Sequence, residues 1–180
     1  MTQPIQSTKY PDYYKIPEFS LGLQHAPWRI NGTNFPRIWG KLYMIEFLID
    51  LGFLWDLSHN PYKQLVESPI LLGDISPDGG AHPNRDPVKD HKSHKKGVDV
   101  DIFILCKDGK AKNINYTNKR EYDFERTLKL AELIFQAAKR KNVVIDKAWY
   151  DDVDVQKNFK GRLNILGGHA DHFHIRLMEK

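Results

Sequence analysis

The chain has one cysteine in 180 residues, Cys106, so it cannot close an intrachain disulfide. One thiol also excludes a structural metal site built from several thiolates. The sequence is therefore suited to folding in a reducing compartment. Long apolar runs are missing too. LYMIEFLIDLGFLW, residues 42 to 55, comes nearest, but it is short and carries Glu46 and Asp50. It reads as a core helix, and membrane insertion is not expected. The first residues, MTQPIQSTKYPDYYKI, show no basic segment followed by an apolar one, so no secretory signal is expected and synthesis is expected to be cytoplasmic. There is no block of one charge. The 27 Lys and Arg interleave with 23 Asp and Glu for a formal net charge of +4. That mild excess favours anionic partners such as nucleic acid, lipid headgroups or an acidic cell-wall polymer and does not choose among them, but without a long Lys/Arg block nucleic acid is not expected as a partner. HExxH, G-x-S-x-G and phosphate-binding glycine loops are all absent.

What is present fits one globular domain over 1–180, with residues 1 to 35 as an irregular, aromatic N-terminal arm (Tyr10, Tyr13, Tyr14, Phe19, Trp28). That arm is a docking element or, more simply, a lid packed on the core. Ile38, Leu42, Ile45 and Ile49 form one apolar stripe and predict a helix over 36–52, opened by Pro36 and closed by Gly52. PILLG gives a strand at 69–72. Residues 73–96 are rich in Pro, Gly, Asp, Lys and His and form a long loop, of a length that is often functional. VDVDIFIL, 98–105, alternates: Val98, Val100 and Ile102 share one face, and Asp99, Asp101 and Phe103 the other. Phe124, Leu128, Ala131, Phe135 and Ala138 step along one side of a helix over 121–141. VVIDKAW, 143–149, is a strand, 150–168 a polar loop, and DHFHIRL, 171–177, a final strand. The fold class is α+β, a small antiparallel sheet with helices on one side.

Five of the eight histidines fall in two short stretches. His172 and His174 lie two apart in a strand and so point the same way, with His169 just before them after Gly167 and Gly168. Asp99 and Asp101 likewise share a face, with His91 and His94 leading in. If the two strands are neighbours, these groups converge. Imidazole nitrogens and a carboxylate oxygen suit zinc. His94, Asp101 and His174 would make a His₂Asp set with a position left open for water. The plain alternative is a polar, pH-sensitive face.

SHKKGVDVDI, 93–102, and GHADHFHIRL, 168–177, resemble the two signatures of the penicillin-insensitive murein endopeptidases, relatives of lysostaphin-type enzymes, D-Ala-D-Ala peptidases and the hedgehog amino-terminal domain. Six residues, KKGVDV, separate His94 from Asp101, and His172-Phe173-His174 supplies the downstream His-x-His. LLGDISPDGG, 71–80, is similar to the segment that precedes the first signature. Three features depart from the family pattern. Ala170 replaces a usual Asp, Ile165, Leu166 and Gly167 stand where aromatics are usual, and the cysteines of exported members are missing.

The resemblance implies a zinc site on the sheet of a LAS/hedgehog-like peptidase fold, with His94, Asp101 and His174 as ligands. It implies His172 as the base, or as the group that steadies the oxyanion, with His169 and His91 as further active-site histidines. Asp99 and Asp171 are either partners that orient imidazoles or surface carboxylates. The implied reaction is zinc-dependent hydrolysis of the D-Ala–meso-diaminopimelate cross-link of peptidoglycan, in the periplasm or cell wall of a target or host bacterium. Without a visible signal, delivery as an antibacterial effector, with a secretion-system carrier or an immunity protein as partner, or as a phage endolysin would bring the chain there. Two alternatives stay open at this point. One is a zinc-holding interaction module. The other is a peptidase for another wall bond, L-Ala–D-Glu or D-Ala-D-Ala.

Overall fold

The computed structural model describes residues 3–17, 22–25, 29–30, 33–34, 37–59, 69–80, 94–110 and 112–180. His91, Phe19, Trp28, Pro36 and most of the 73–96 loop lie outside them. In chain order the elements are β1 (Ile5–Gln6), β2 (Tyr14–Lys15), β3 (Leu23–His25), β4 (Arg29–Ile30), β5 (Thr33–Asn34), β6 (Trp39–Gly40), α1 (Leu42–His59), β7 (Ile70–Leu72), β8 (Asp99–Phe103), α2 (Phe124–Arg140), β9 (Val143–Trp149), α3 (Val153–Lys157) and β10 (His172–Glu179).

The main sheet has the order β3-β7-β8-β10-β9. An all-antiparallel sheet is the expectation from sequence, and here the structure differs. β3 runs parallel to β7, with Leu23 opposite Ile70, while the other pairs are antiparallel. Parallel neighbours need a long crossover, and the segment between them, with α1 in it, supplies one. β1, β2 and β6 form a second, small antiparallel sheet, and β4 pairs with β5. The described parts of the N-terminal arm therefore contribute strands, one of them to the main sheet.

The core lies between the helices and one face of that sheet. Val100, Ile102, Phe173, Ile175 and Ala148 are buried together with Leu48, Leu51 and Trp55 of α1 and Leu130, Ile134 and Ala137 of α2. α2 begins where Asp123 caps it, its carboxylate accepting the Arg126 N–H at 3.1 Å, and it ends in Lys139 and Arg140. The centre of its buried face is Leu130, Ile134 and Ala137, so the stripe read from sequence marks one edge of that face. α1 starts later than the stripe suggests. Trp39 and Gly40 are taken by β6, and the helix runs through Gly52 to His59. Met44, Ile45, Phe47, Leu48, Leu51 and Trp55 are all buried, so α1 is apolar nearly all round and its sequence period is faint. The 150–168 loop contains α3, capped by Asp152.

One buried ion pair ties the segments that meet behind the polar sheet face. Arg37 and Asp74 are each 1% exposed, with Nε to Oδ1 at 2.5 Å. The Arg37 guanidinium also donates to the His94 carbonyl at 3.3 Å, and the Asp74 carbonyl accepts the Asp101 N–H at 3.0 Å. Close by, Gly97 (φ 70°) accepts the Lys41 N–H at 2.8 Å, and a side chain on it would meet the Gly40 Cα at 2.9 Å. Only glycine suits that backbone and that approach.

Removing one partner of a buried pair leaves an uncompensated charge. Asp74→Ala is expected to lower unfolding stability by about 3–5 kcal/mol. The urea midpoint measures this, and a change below about 1 kcal/mol would show that the pair does not hold the segments together.

Candidate metal centre

The polar face of the sheet is built by alternation and register. On β8 it carries Asp99, Asp101 and Phe103. On β10 it carries His172, His174 and Arg176, and on β9 Lys147 and Trp149. Antiparallel pairing sets His172 opposite Phe103, His174 opposite Asp101, and Arg176 opposite Asp99, with Trp149 beside His174 on the other flank. The two strands that the sequence marks as polar-faced are thus neighbours.

Three imidazoles converge on one carboxylate oxygen. Asp101 Oδ1 lies 3.0 Å from His174 Nδ1, 3.2 Å from His94 Nε2 and 3.5 Å from His172 Nε2. Burial opposes the charge on Asp101, but the bonds from His174 and His94 outweigh it and hold the carboxyl far below the usual range. His94 arrives from the loop before β8 with φ 58°, an uncommon backbone for a non-glycine residue. It is held there by the Arg37 guanidinium on its carbonyl and by the Asp99 carboxylate, which accepts its N–H at 3.3 Å.

His174 is fixed at both ring nitrogens. Its Nε2 lies 3.1 Å from Asp99 Oδ1, and Arg176 Nε donates to that same oxygen at 2.6 Å. Burial disfavours the His174 cation, yet the bonds to Asp101 and Asp99 push its pKa up to about 9. Asp99, desolvated but bonded to His174 and Arg176, is held at about 2. With the Nε2–H committed to Asp99, giving up the Nδ1 proton would leave a lone pair on the Asp101 side, the tautomer a metal ligand needs.

The donor atoms of His94, Asp101 and His174 all lie within 4.8 Å of one another. Ligand atoms of a tetrahedral zinc ion at about 2.0–2.1 Å stand roughly 3.3 Å apart. The spacings to Asp101 of 3.0 and 3.2 Å are close to that. Two imidazole nitrogens and one carboxylate oxygen therefore fit such an ion, whereas Cys106, buried at the far end of its segment, is not part of the set.

Beside this set stands a second arrangement. His172 Nδ1 lies 2.6 Å from Asp171 Oδ1, which leaves Nε2 facing Asp101. Burial pulls the His172 pKa down, but Asp171 and Asp101 outweigh it and the net shift is upward. His169 packs edge-on against His172 and His174, at 5.2 and 5.6 Å between ring centres, and lies 5.6 Å from Trp149. Its Nδ1 is 3.0 Å from the Gly167 carbonyl. Burial and the neighbouring His172 and His174 push its pKa down. His169, His172 and His174 also form a three-nitrogen group.

Sequence reasoning names these histidines and, in Asp99 and Asp171, two of the carboxylates that hold them, but misses the other residues that do so. Asp151 accepts backbone N–H groups from His169 at 2.8 Å, Gly167 at 3.0 Å and Leu166 at 3.4 Å. It thereby fastens the turn that delivers His169, in which Gly167 and Gly168 both have positive φ. The Trp149 ring lies tilted against that of His174, with 5.0 Å between ring centres. Arg176 secures Asp99. A carboxylate in a polar loop and an arginine at a strand end carry no pattern of their own. Only the position of Arg176, two beyond His174 on the same face, hints at its place. His91 lies outside the described residues.

A His₂Asp donor set on a sheet face, with an aspartate-held imidazole beside it, is a group of side chains that could hold a metal ion. The chain belongs to the penicillin-insensitive murein endopeptidase family, whose model matches residues 19–179. The match spans the whole site. A comparison with curated proteins finds no match.

Asp99→Asn should leave the fold intact but weaken metal binding by about 10–100-fold, the usual cost of losing the partner that orients a ligating imidazole. Zinc titration against a competing chelator measures it. Wild-type affinity in the variant would show that Asp99 does not set the His174 tautomer.

Proposed function

We propose that this protein is a zinc-dependent peptidase of peptidoglycan that cleaves the D-Ala–meso-diaminopimelate cross-link, with His94, Asp101 and His174 as the metal ligands and His172 as the general base. Family membership supports the peptidase class and the peptidoglycan substrate. The observation that carries the site assignment is the convergence of His94, His174 and His172 on Asp101, with each outer nitrogen of His174 and His172 held by its own aspartate.

When bound, the ion would polarise the scissile carbonyl and bring the attacking water's pKa towards about 7. The protein's own residues do the rest. Asp171 keeps the Nδ1 proton of His172, so Nε2 can take a proton from the attacking water and return it to the leaving amine nitrogen. The upward shift of His172 favours holding that proton between the two steps. Asp99, steadied by Arg176, keeps His174 in one orientation. His169, held by Asp151 and Trp149, flanks His172, and its lowered pKa keeps it neutral near pH 7, able to donate or accept a hydrogen bond to substrate. Ile165 and Leu166, 48% and 57% exposed on the same turn, give that side of the site an apolar lip.

A substrate in the bacterial cell wall would put the site of action outside the cytoplasm. Delivery as an effector or as an endolysin accords with that. No helix among the described residues is long and apolar enough to cross a membrane.

Purified sacculi incubated with zinc-loaded protein should release monomeric muropeptides from cross-linked dimers, with new D-Ala and diaminopimelate ends by mass spectrometry, and a chelator should stop the release. Persistent dimers would overturn the assignment, and different chain ends would reassign the bond. His172→Ala is expected to keep its zinc and to lose about 10²–10⁴-fold in rate. A loss under about tenfold would remove His172 from proton transfer. His174→Ala and Asp101→Ala should lose both zinc and activity.

A further inference from the structure

A groove of about 480 Å³ opens one rung along the sheet face from the metal centre. Asp99 and Arg176, the pair next to Asp101 and His174, form its inner end, and Tyr43 of α1 lines it. Four more charged side chains surround it. Lys95 and Lys96 directly follow His94 on the same loop, Asp146 belongs to β9, and Glu179 lies near the end of β10. Among the described residues none of these four forms an ion pair, and all four are exposed. Arg176 is already neutralised by Asp99. The groove thus offers two free cations and two free anions. A second cavity of about 530 Å³ shares Tyr43 and Glu179 with it and continues towards Asp12 and Tyr14 of the N-terminal segment.

A groove that offers both signs of charge, unpaired and with little net charge, does not select a simple anion. It matches a ligand that carries carboxylates and an ammonium together. Its length, continued by the second cavity, suits a chain extending away from the scissile bond more than a terminal dipeptide. We infer that the groove lined by Tyr43, Lys95, Lys96, Asp146 and Glu179 is a substrate subsite for the zwitterionic part of a murein stem peptide. The inference rests on the peptidoglycan reading of the metal centre. Lys95 and Lys96 take the free carboxylates, and Asp146 and Glu179 take the free amine. Because Lys95 and Lys96 share a loop with His94, a peptide bound there lies alongside the metal centre.

The probe is the uncross-linked disaccharide tetrapeptide purified from sacculi, which has no cross-link to cut, titrated calorimetrically into the zinc-loaded full chain. Wild-type protein is expected to bind it. Acetylating its free amine should weaken binding, and so should Glu179→Lys. The double variant Lys95→Glu/Lys96→Glu should bind about tenfold or more weakly, because like charges now face the carboxylates. On cross-linked sacculi the double variant should show a raised KM with unchanged kcat and zinc content. Equal binding by wild type and the double variant overturns the inference, as does failure of wild type to bind at millimolar probe. If wild type binds the probe in a charge-dependent way yet leaves sacculi uncut, the groove stands and the proposed hydrolysis falls.

Discussion

Everything at this site depends on the register of two strands. β8 and β10 pair so that His174 sits opposite Asp101 and Arg176 opposite Asp99. Side chains alternate faces along a strand, so a slip of one residue would put Ile175 and Val100 on the polar side and bury His174 and Asp101 in the core. The apolar alternates prevent that. Val100, Ile102, Phe173 and Ile175 are at most 1% exposed, and burying them fixes the register. The hydrophobic core and the candidate metal site are two faces of a single pairing decision.

Around that pairing, each histidine that matters is held by something whose only visible task is holding. Asp99 holds His174 and Arg176 holds Asp99. Asp171 holds His172. Asp151 holds the turn that delivers His169. Arg37 grips the carbonyl of His94, whose left-handed backbone would otherwise cost about 1–2 kcal/mol. The strain sits on the one proposed ligand that a strand does not carry. A loop in that conformation persists only where its surroundings over-determine it, and the buried Arg37–Asp74 pair does so here by linking the N-terminal segment, the end of β7 and the start of β8.

Sequence showed most of the chemistry and part of the scaffold. Strict alternation in VDVDIF and HFHIR located both polar-faced strands, and 143–149 matches β9 in full. The cluster itself was legible because histidine and aspartate two apart on a strand must share a face. α1 was misplaced because a helix whose exposed side also carries Leu42, Phe53 and Leu57 has no clear period, and the short strands before it are too brief to alternate. The parallel β3–β7 pair is a matter of topology, which local pattern does not encode. Asp151, Trp149 and Arg37 act through backbone groups and ring contacts from distant parts of the chain. Nothing in their neighbours' identities announces that.

The order of strands in the main sheet has a consequence for how the protein comes into being. β10 lies between β8 and β9 but follows both along the chain. While a ribosome is still extending the polypeptide, β8 and β9 have a gap between them that no earlier segment fills. Asp101 and His94 are synthesised 73 and 80 residues ahead of His174. The cluster of His94, Asp101 and His174 therefore cannot come together until β10 has been made and has paired between β8 and β9.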